Sequence, residues 1–174
     1  MNAQLTWIRP LLGTTPDRWS ALTGSVDADL LARPPAPGEW AAIACLAHLV
    51  DVDEIVFQSR VDAIIAGRAF EAFDPDADGS SPVAPGSAAE LAARFAAARS
   101  RGLERLAQVT VEQLGRTGHH PELGLVTLAE LLNQWTAHDL MHTVQGERAL
   151  MQPFVAGSGP WRHYFKDHDV SPGT

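Results

Sequence analysis

The chain is poor in cysteine and has no long apolar run. Cys45 is the only cysteine among the 174 residues, so an internal disulfide is impossible. No stretch approaches the roughly 18 uninterrupted apolar residues of a membrane span. The first residues also lack the cationic stretch and long apolar core of a signal peptide. We therefore expect a cytoplasmic protein with no membrane contact.

Clusters of basic residues are also missing. Lys166 is the only lysine, the formal net charge is -8, and the pI is about 5.2. Such a chain repels the phosphate backbone of a nucleic acid on average, so we expect no nucleic-acid partner. Hydrophobic residues make up 45% of the chain and charged residues 20%, the balance of a globular protein. The length predicts one domain over residues 1–174.

The second half of the chain contains two signals that begin helices. Ser87-Ala88-Ala89-Glu90 and Thr127-Leu128-Ala129-Glu130 are both capping boxes, in which the first and fourth residues bond each other's backbone N–H groups. Apolar periodicity extends from the first to about Gln108 and from the second to about Met151. These segments are the predicted third and fourth helices.

The first half supplies two more helices. One is expected over about residues 3–24, with Pro10 and Pro16 kinking or splitting it and Thr15 as an N-cap before Pro16. A second is expected over about residues 39–66.

Two later segments lack a helical pattern. We expect residues 109–126 to be irregular apart from one helical turn at 111–115, and residues from Pro153 onward to form a tail packed across the bundle. No region is rich in strands. The predicted fold class is all-α: a four-helix bundle with a short irregular C-terminal tail.

The loop at residues 67–86 contains a run that mimics a calcium-binding loop. Asp74-Pro75-Asp76-Ala77-Asp78-Gly79 has the opening pattern of an EF-hand, but Pro85 occupies the twelfth position, where a bidentate glutamate is required. We expect no calcium site there.

Three histidines occupy positions that suit a metal site. His138 and His142 are an i, i+4 pair on the fourth helix, so their imidazoles can converge on one ion. His48 on the second helix has Val52 and Ile55 on the same face, an apolar surround typical of a bundle interior. The alternative is ordinary hydrogen-bonded interior histidines, because HxxxH pairs often arise by chance.

The sequence around these histidines carries a resemblance. Pro37-Gly38-Glu39-Trp40 precedes Leu46-Ala47-His48-Leu49, and the run Glu122-Leu123-Gly124-Leu125-Val126-Thr127-Leu128 precedes Trp135-Thr136-Ala137-His138-Asp139-Leu140-Met141-His142. In this order and spacing the motifs resemble the two signatures of the DinB-like (YfiT-like) metal-binding superfamily. The match covers nearly the whole chain.

The resemblance implies both a fold and a site. Its fold is a four-helix bundle, and the three metal ligands of the family fall on His48, His138 and His142. We expect one divalent ion per chain, with zinc or nickel favoured by neutral imidazole ligands. Similar proteins often form homodimers, and we expect one here.

Two classes of function follow. The first is a metal-dependent enzyme acting on a small molecule, which activates a low-molecular-weight thiol, as an S-transferase or thiol-dependent isomerase, or a water, as a hydrolase. The alternative is a non-catalytic, stress-related binding protein that retains the three-histidine site. No catalytic residue is identified, and Arg148 or Arg116 is a candidate to attract an anionic substrate.

Other polar and aromatic residues have structural interpretations. We expect Asp51 and Asp139 to be solvated surface carboxylates and Cys45 to be a buried, inert thiol. The remaining candidates are expected to be two exposed loop histidines and two core tryptophans, namely His119, His120, Trp40 and Trp135.

Overall fold

The computed structural model describes residues 3–71, 73 and 87–170. In chain order the elements are α1 (Ala3–Ser25), α2 (Ala28–Leu31), α3 (Ala42–Asp51), a π-helical segment (Val52–Phe57), α4 (Gln58–Ile65), α5 (Ala88–Ala107), a 3₁₀ turn (Glu112–Gly115), β1 (Thr117–His120), β2 (Gly124–Thr127), α6 (Leu128–Gly157) and a second 3₁₀ segment (Gly159–Phe165). The all-α bundle is confirmed. No helix within these described ranges has the length and apolar character to cross a bilayer.

Four long helical units form the bundle. The first is α1, the second is the continuous run of α3, the π-helical segment and α4, the third is α5, and the fourth is α6. Helix α1 packs against α5 and α6, and α3 packs against the same two helices. One apolar cluster includes Phe57 and Trp135, and the other includes Trp19 and Phe95. Helices α1 and α6 approach closely at Gly146, where an added Cβ would lie 2.5 Å from Cη2 of Trp19.

Both capping boxes form as predicted. In the first, Glu90 N donates to Ser87 Oγ at 3.2 Å and Ser87 N donates to Glu90 Oε2 at 2.7 Å. Thr127 and Glu130 make the same pair of bonds at the start of α6. The predicted end of the fourth helix near residue 151 is wrong, because the helix continues through Pro153. Val155 is buried beyond it, and its packing offsets the hydrogen bond that proline removes.

Pro10 and Pro16 do not split α1, which is continuous from residue 3 to 25. A proline at position 16 leaves the carbonyl oxygen of Leu12 without its usual helical donor. Nη1 of Arg99 donates to that oxygen at 2.7 Å. Thr15 is therefore not an N-cap, and its side chain belongs to a buried polar cluster.

The expectation that residues 109–126 are irregular apart from one helical turn is wrong. Strands β1 and β2 pair antiparallel, with Thr117 opposite Thr127 and His120 opposite Gly124. Gly118 lies so close to α4 that an added Cβ would be 2.8 Å from Cγ1 of Ile64. This hairpin follows the helical turn expected at 111–115, which is present as the first 3₁₀ turn.

The π-helical segment alters which residues of the second helix face inward. Val52 is buried as expected, but Ile55 is 56% exposed rather than interior. An i to i+5 turn is wider than an α-turn, so it shifts the residues that follow around the helix axis. The EF-hand-like run at residues 74–79 lies outside the described residues.

Candidate metal centre

The structure brings the three predicted histidines together. His48 comes from α3, and His138 and His142 come from α6. One ring nitrogen of each lies within 4.8 Å of the others. The Nε2 atoms of His48 and His138 are 3.1 Å apart, and the ring centroid of His142 lies 4.5 and 4.4 Å from those of the other two. This separation suits convergence on a single ion.

The hydrogen bonds of the three imidazoles are incomplete. Nδ1 of His48 and of His138 is buried and has no hydrogen-bond partner among the described residues. Their facing Nε2 atoms share one contact, in which only one of the two can donate. When each ring carries its proton on Nδ1, the facing Nε2 lone pairs repel one another unless a cation lies between them, so the trio fits a bound metal ion. Three imidazole nitrogens are a donor set that divalent transition metals accept.

His142 is oriented by a neighbour one turn along α6. Its Nδ1 lies 2.8 Å from Oε1 of Gln145, an oxygen that only accepts, so Nδ1 donates. A neutral ring with its proton on Nδ1 has a free lone pair on Nε2. Fixing the tautomer of a ligand through its other nitrogen is the usual task of a residue beside a metal site.

The three imidazoles are held in the neutral state that metal ligation requires. Burial, with a smaller contribution from the charge of His142, lowers the pKa of His48 to about 4. Burial, followed by the charges of His142 and His48, lowers the pKa of His138 to about 3. Burial also lowers the pKa of His142, although the bond to Gln145 opposes this.

A cavity of about 220 Å³ opens beside the histidines. Trp40 forms one wall: its ring stacks on His142 at 5.6 Å and meets the edge of His48 at 5.2 Å. Trp40 is half-buried and packs against the apolar cluster of Trp19 and Phe95, as expected of a core wedge, and it also forms a wall of the site. Trp135 is buried in the core as predicted, stacked on Phe57 at 4.8 Å.

A second buried polar cluster lies directly behind the histidines. Arg99 of α5 bonds Asp53 through Nε at 2.7 Å and Asp139 through Nη2 at 2.6 Å. The hydroxyl of Thr15 donates to Asp139 Oδ2 at 2.8 Å, and Trp135 Nε1 donates to Asp53 Oδ1 at 2.9 Å. The prediction that Asp139 is a solvated surface carboxylate is wrong, because it is 1% exposed and paired with Arg99.

Several other candidates do not join the histidines. Cys45 is fully buried and burial raises its pKa to about 12, which confirms an inert thiol. Asp51 is half-buried and no hydrogen bond joins it to the three imidazoles. His119 is exposed as expected. His120 is half-buried and meets the ring of Phe70 at 5.5 Å.

The arginines proposed to attract a substrate are engaged elsewhere. Arg148 donates to the backbone oxygen of His168 in the C-terminal tail at 3.0 Å, and Arg116 donates to that of Ile65 at 2.6 Å. Arg60 is the arginine that lines the histidine cavity, and the sequence interpretation missed it. It follows His48 by twelve residues, which puts it about 120° from that histidine on a regular α-helix. No periodicity signal could have found it.

Comparisons with known proteins agree with this architecture. A family model described as the DinB superfamily matches residues 11–145. YfiT from Bacillus subtilis, described as a probable metal-dependent hydrolase with an unusual four-helix bundle topology, matches with a TM-score of 0.74 and 17% identity, over 88% of this chain and 89% of that one. At this identity the match shows a shared fold. No curated protein matches the chain.

Proposed function

Because the chain belongs to the DinB superfamily, we propose that it binds one divalent metal ion through His48, His138 and His142 and acts with it on a small molecule. The observation that carries the proposal is the convergence of three neutral, incompletely bonded imidazoles beside a cavity. Zinc or nickel suits these ligands best.

Each residue around the proposed centre has a definable task. A divalent ion supplies Lewis acidity, which lowers the pKa of a water or thiol bound to it. Gln145 fixes the tautomer of His142. Trp40 stacks on His142 and meets the edge of His48, so it forms an apolar wall beside the centre. The cavity that it lines leaves space for a substrate.

Hydrolysis, with water as the nucleophile, is the reaction we favour. YfiT, which shares the fold, is described as a probable metal-dependent hydrolase. A low-molecular-weight thiol in place of water would instead make the protein an S-transferase or a thiol-dependent isomerase. Both reactions need a metal centre that is open to a further ligand on the side of the cavity.

The alternative is a non-catalytic, stress-related binding protein that retains the metal. Structural metal sites are usually closed by four protein ligands. The three histidines are the group of potential metal ligands found within the described ranges, and they face a cavity of about 220 Å³. That arrangement favours a centre that admits a further ligand.

Metal analysis combined with activity assays tests the proposal. We expect about one zinc or nickel per chain by mass spectrometry, and background levels in His138→Ala. A panel of esters, amides and lactones, and of thiols with an electrophile, should show turnover that chelation removes and metal restores. His119→Ala, an exposed site outside both cavities, is the control that keeps both metal and turnover. Equal rates in loaded and chelated protein would reject the enzyme, and full metal content in His138→Ala would reject the site.

A further inference from the structure

A second cavity adjoins the one at the histidines, and the two share Arg60 and Gln134. It has a volume of about 190 Å³ and extends beneath the β1–β2 hairpin, where Leu123, Val126 and Leu131 contribute apolar walls. A cavity of about 150 Å³ can hold benzene, so this one has room for a single ring. Arg60 and Gln134 therefore lie between the cavity that contains the histidines and the second cavity, which has apolar walls.

The guanidinium of Arg60 is held at this junction. Nη2 donates to the backbone oxygen of Glu71 at 3.2 Å, and Cζ lies 5.2 Å from the centroid of the Phe70 ring. The exposed Glu122 acts on Arg60 through its charge. No carboxylate within the described part of the chain lies close enough to form an ion pair with it, although the side chain is half-buried. A guanidinium has five N–H donors in a planar fork that matches a carboxylate. Most of those donors remain for a ligand.

The acidic residue that lines the second cavity does not occupy this fork. Glu130 is held by its capping box, where its Oε2 accepts from the backbone N–H of Thr127 at 2.7 Å and from the hydroxyl of Thr127 at 2.8 Å. Its carboxylate is therefore directed to the start of α6. A partly desolvated, positioned cation between two cavities favours an anionic ligand.

We propose that Arg60 binds a carboxylate of the substrate and so determines which molecules reach the histidines. The inference rests on the proposed function and names its substrate class: a small carboxylate with an apolar arm about the size of one ring. The arm fills the second cavity and the reactive group faces the imidazoles. Arg60 is then a specificity residue that touches substrate away from the reacting atoms.

Binding of a matched pair of probes tests this without turnover. We would titrate 4-phenylbutanoate and neutral 4-phenylbutanamide into metal-loaded and chelated protein by calorimetry or ligand-observed NMR. Chelated protein is included because a carboxylate also binds a metal directly. The acid should bind more tightly than the amide in both forms. Arg60→Gln should weaken the acid about 10- to 100-fold, the loss of a charge-assisted pair, and leave the amide unchanged.

Two further variants separate charge from shape. Arg60→Lys should retain part of the affinity for the acid, because it keeps the charge without the fork. Arg116→Gln is the matched control, since the guanidinium of Arg116 lies outside both cavities. The affinity of this variant for the acid should equal that of the wild type. Val126→Trp should fill the second cavity and weaken both probes several-fold.

The outcomes distinguish this inference from the proposed function. Equal affinity of wild-type protein for acid and amide, or of Arg60→Gln and wild type for the acid, would overturn the carboxylate site. If Arg60→Gln does not fold by circular dichroism, Arg60→Lys and the two probes on wild-type protein decide. Metal content is measured on the same samples. Acid binding that depends on Arg60 in protein that takes up no metal even when zinc or nickel is supplied would reject the metal centre and keep the anion site.

Discussion

Two buried polar clusters lie side by side in this bundle and differ in how completely they are bonded. Arg99 directs hydrogen bonds to Asp53, Asp139, Thr15 and the Leu12 oxygen, and five bonds use its five N–H donors. The neighbouring histidines leave two ring nitrogens without partners and face a cavity. The two clusters also meet in the sequence, because Asp139 of the first directly follows His138 of the second.

The difference separates a structural cluster from a reactive one. A satisfied network fixes the relative positions of the helices that contribute to it, here α1, the π-helical segment, α5 and α6. An unsatisfied cluster beside a cavity keeps its bonding capacity for a ligand. The first holds rigid the helices on which the second is built, so the two should respond to substitution in opposite ways.

The largest expected effect is on stability, at Arg99. Arg99→Met leaves Asp53 and Asp139 buried without a counter-charge, so we expect the free energy of unfolding to fall by about 3–5 kcal/mol. Urea denaturation of chelated protein measures it. Arg105→Met removes a partly exposed ion pair with Asp62 and should cost at most about 1 kcal/mol. A loss below about 1.5 kcal/mol in Arg99→Met would mean that the cluster is not structural.

The next effect is on metal content, at His142. His142→Ala should reduce the metal to background levels, while chelated protein loses less than about 2 kcal/mol, because no buried charge is uncovered. Mass spectrometry and urea denaturation measure the two quantities. His119→Ala, at an exposed position, should change neither. If the free energy of unfolding fell as much in His142→Ala as in Arg99→Met, the distinction between the two clusters would be lost.

A smaller effect is expected at Gln145. Gln145→Leu removes the acceptor of the His142 Nδ1–H, and loss of such a support typically weakens metal affinity about 10- to 100-fold. Competition with a calibrated chelator measures this. Asn133→Leu, an exposed site on the same helix, is the control. Unchanged affinity in Gln145→Leu would show that the tautomer is set in another way.

The smallest expected effect is the pH dependence of metal-free stability. Unfolded imidazoles titrate near pH 6.5, whereas those of His48 and His138 titrate at about 4 and 3 in the folded chain. Between these values the unfolded chain binds more protons, so the free energy of unfolding falls as the pH decreases from 7 to 4. Over the first unit of that range, from pH 7 to 6, we expect the two imidazoles together to contribute about 1 kcal/mol of the fall. His138→Gln should show a shallower dependence, and an identical slope would contradict the neutral state.

Local signals predicted the helices and the trio well. The capping boxes at Ser87 and Thr127 fix helix starts through bonds only three residues apart, so sequence alone reveals them. The i, i+4 spacing of His138 and His142 is local in the same sense. Placing His48 opposite them rested on its apolar neighbours and on a family resemblance.

Features that depend on distant partners were missed. Asp139 appears solvated on a helical wheel, because nothing nearby in sequence indicates that Arg99 comes from another helix to pair with it. The hairpin was missed because its strands contain two histidines and two glycines rather than β-branched runs. The single domain, the homodimer and the cytoplasmic location stay predictions.

The π-helical segment has a consequence for how relatives of this chain would be aligned. His48 and Arg60 line one cavity although twelve α-helical steps would turn them about 120° apart, whereas eleven steps would leave them about 20° apart. The wide turn therefore accommodates one surplus residue, and the exposed Ile55 is the natural position for it. A homologue with a plain α-helix here would be one residue shorter and still present both side chains to the cavity. Alignments that forbid gaps inside helices would then mispair either the histidine or the arginine.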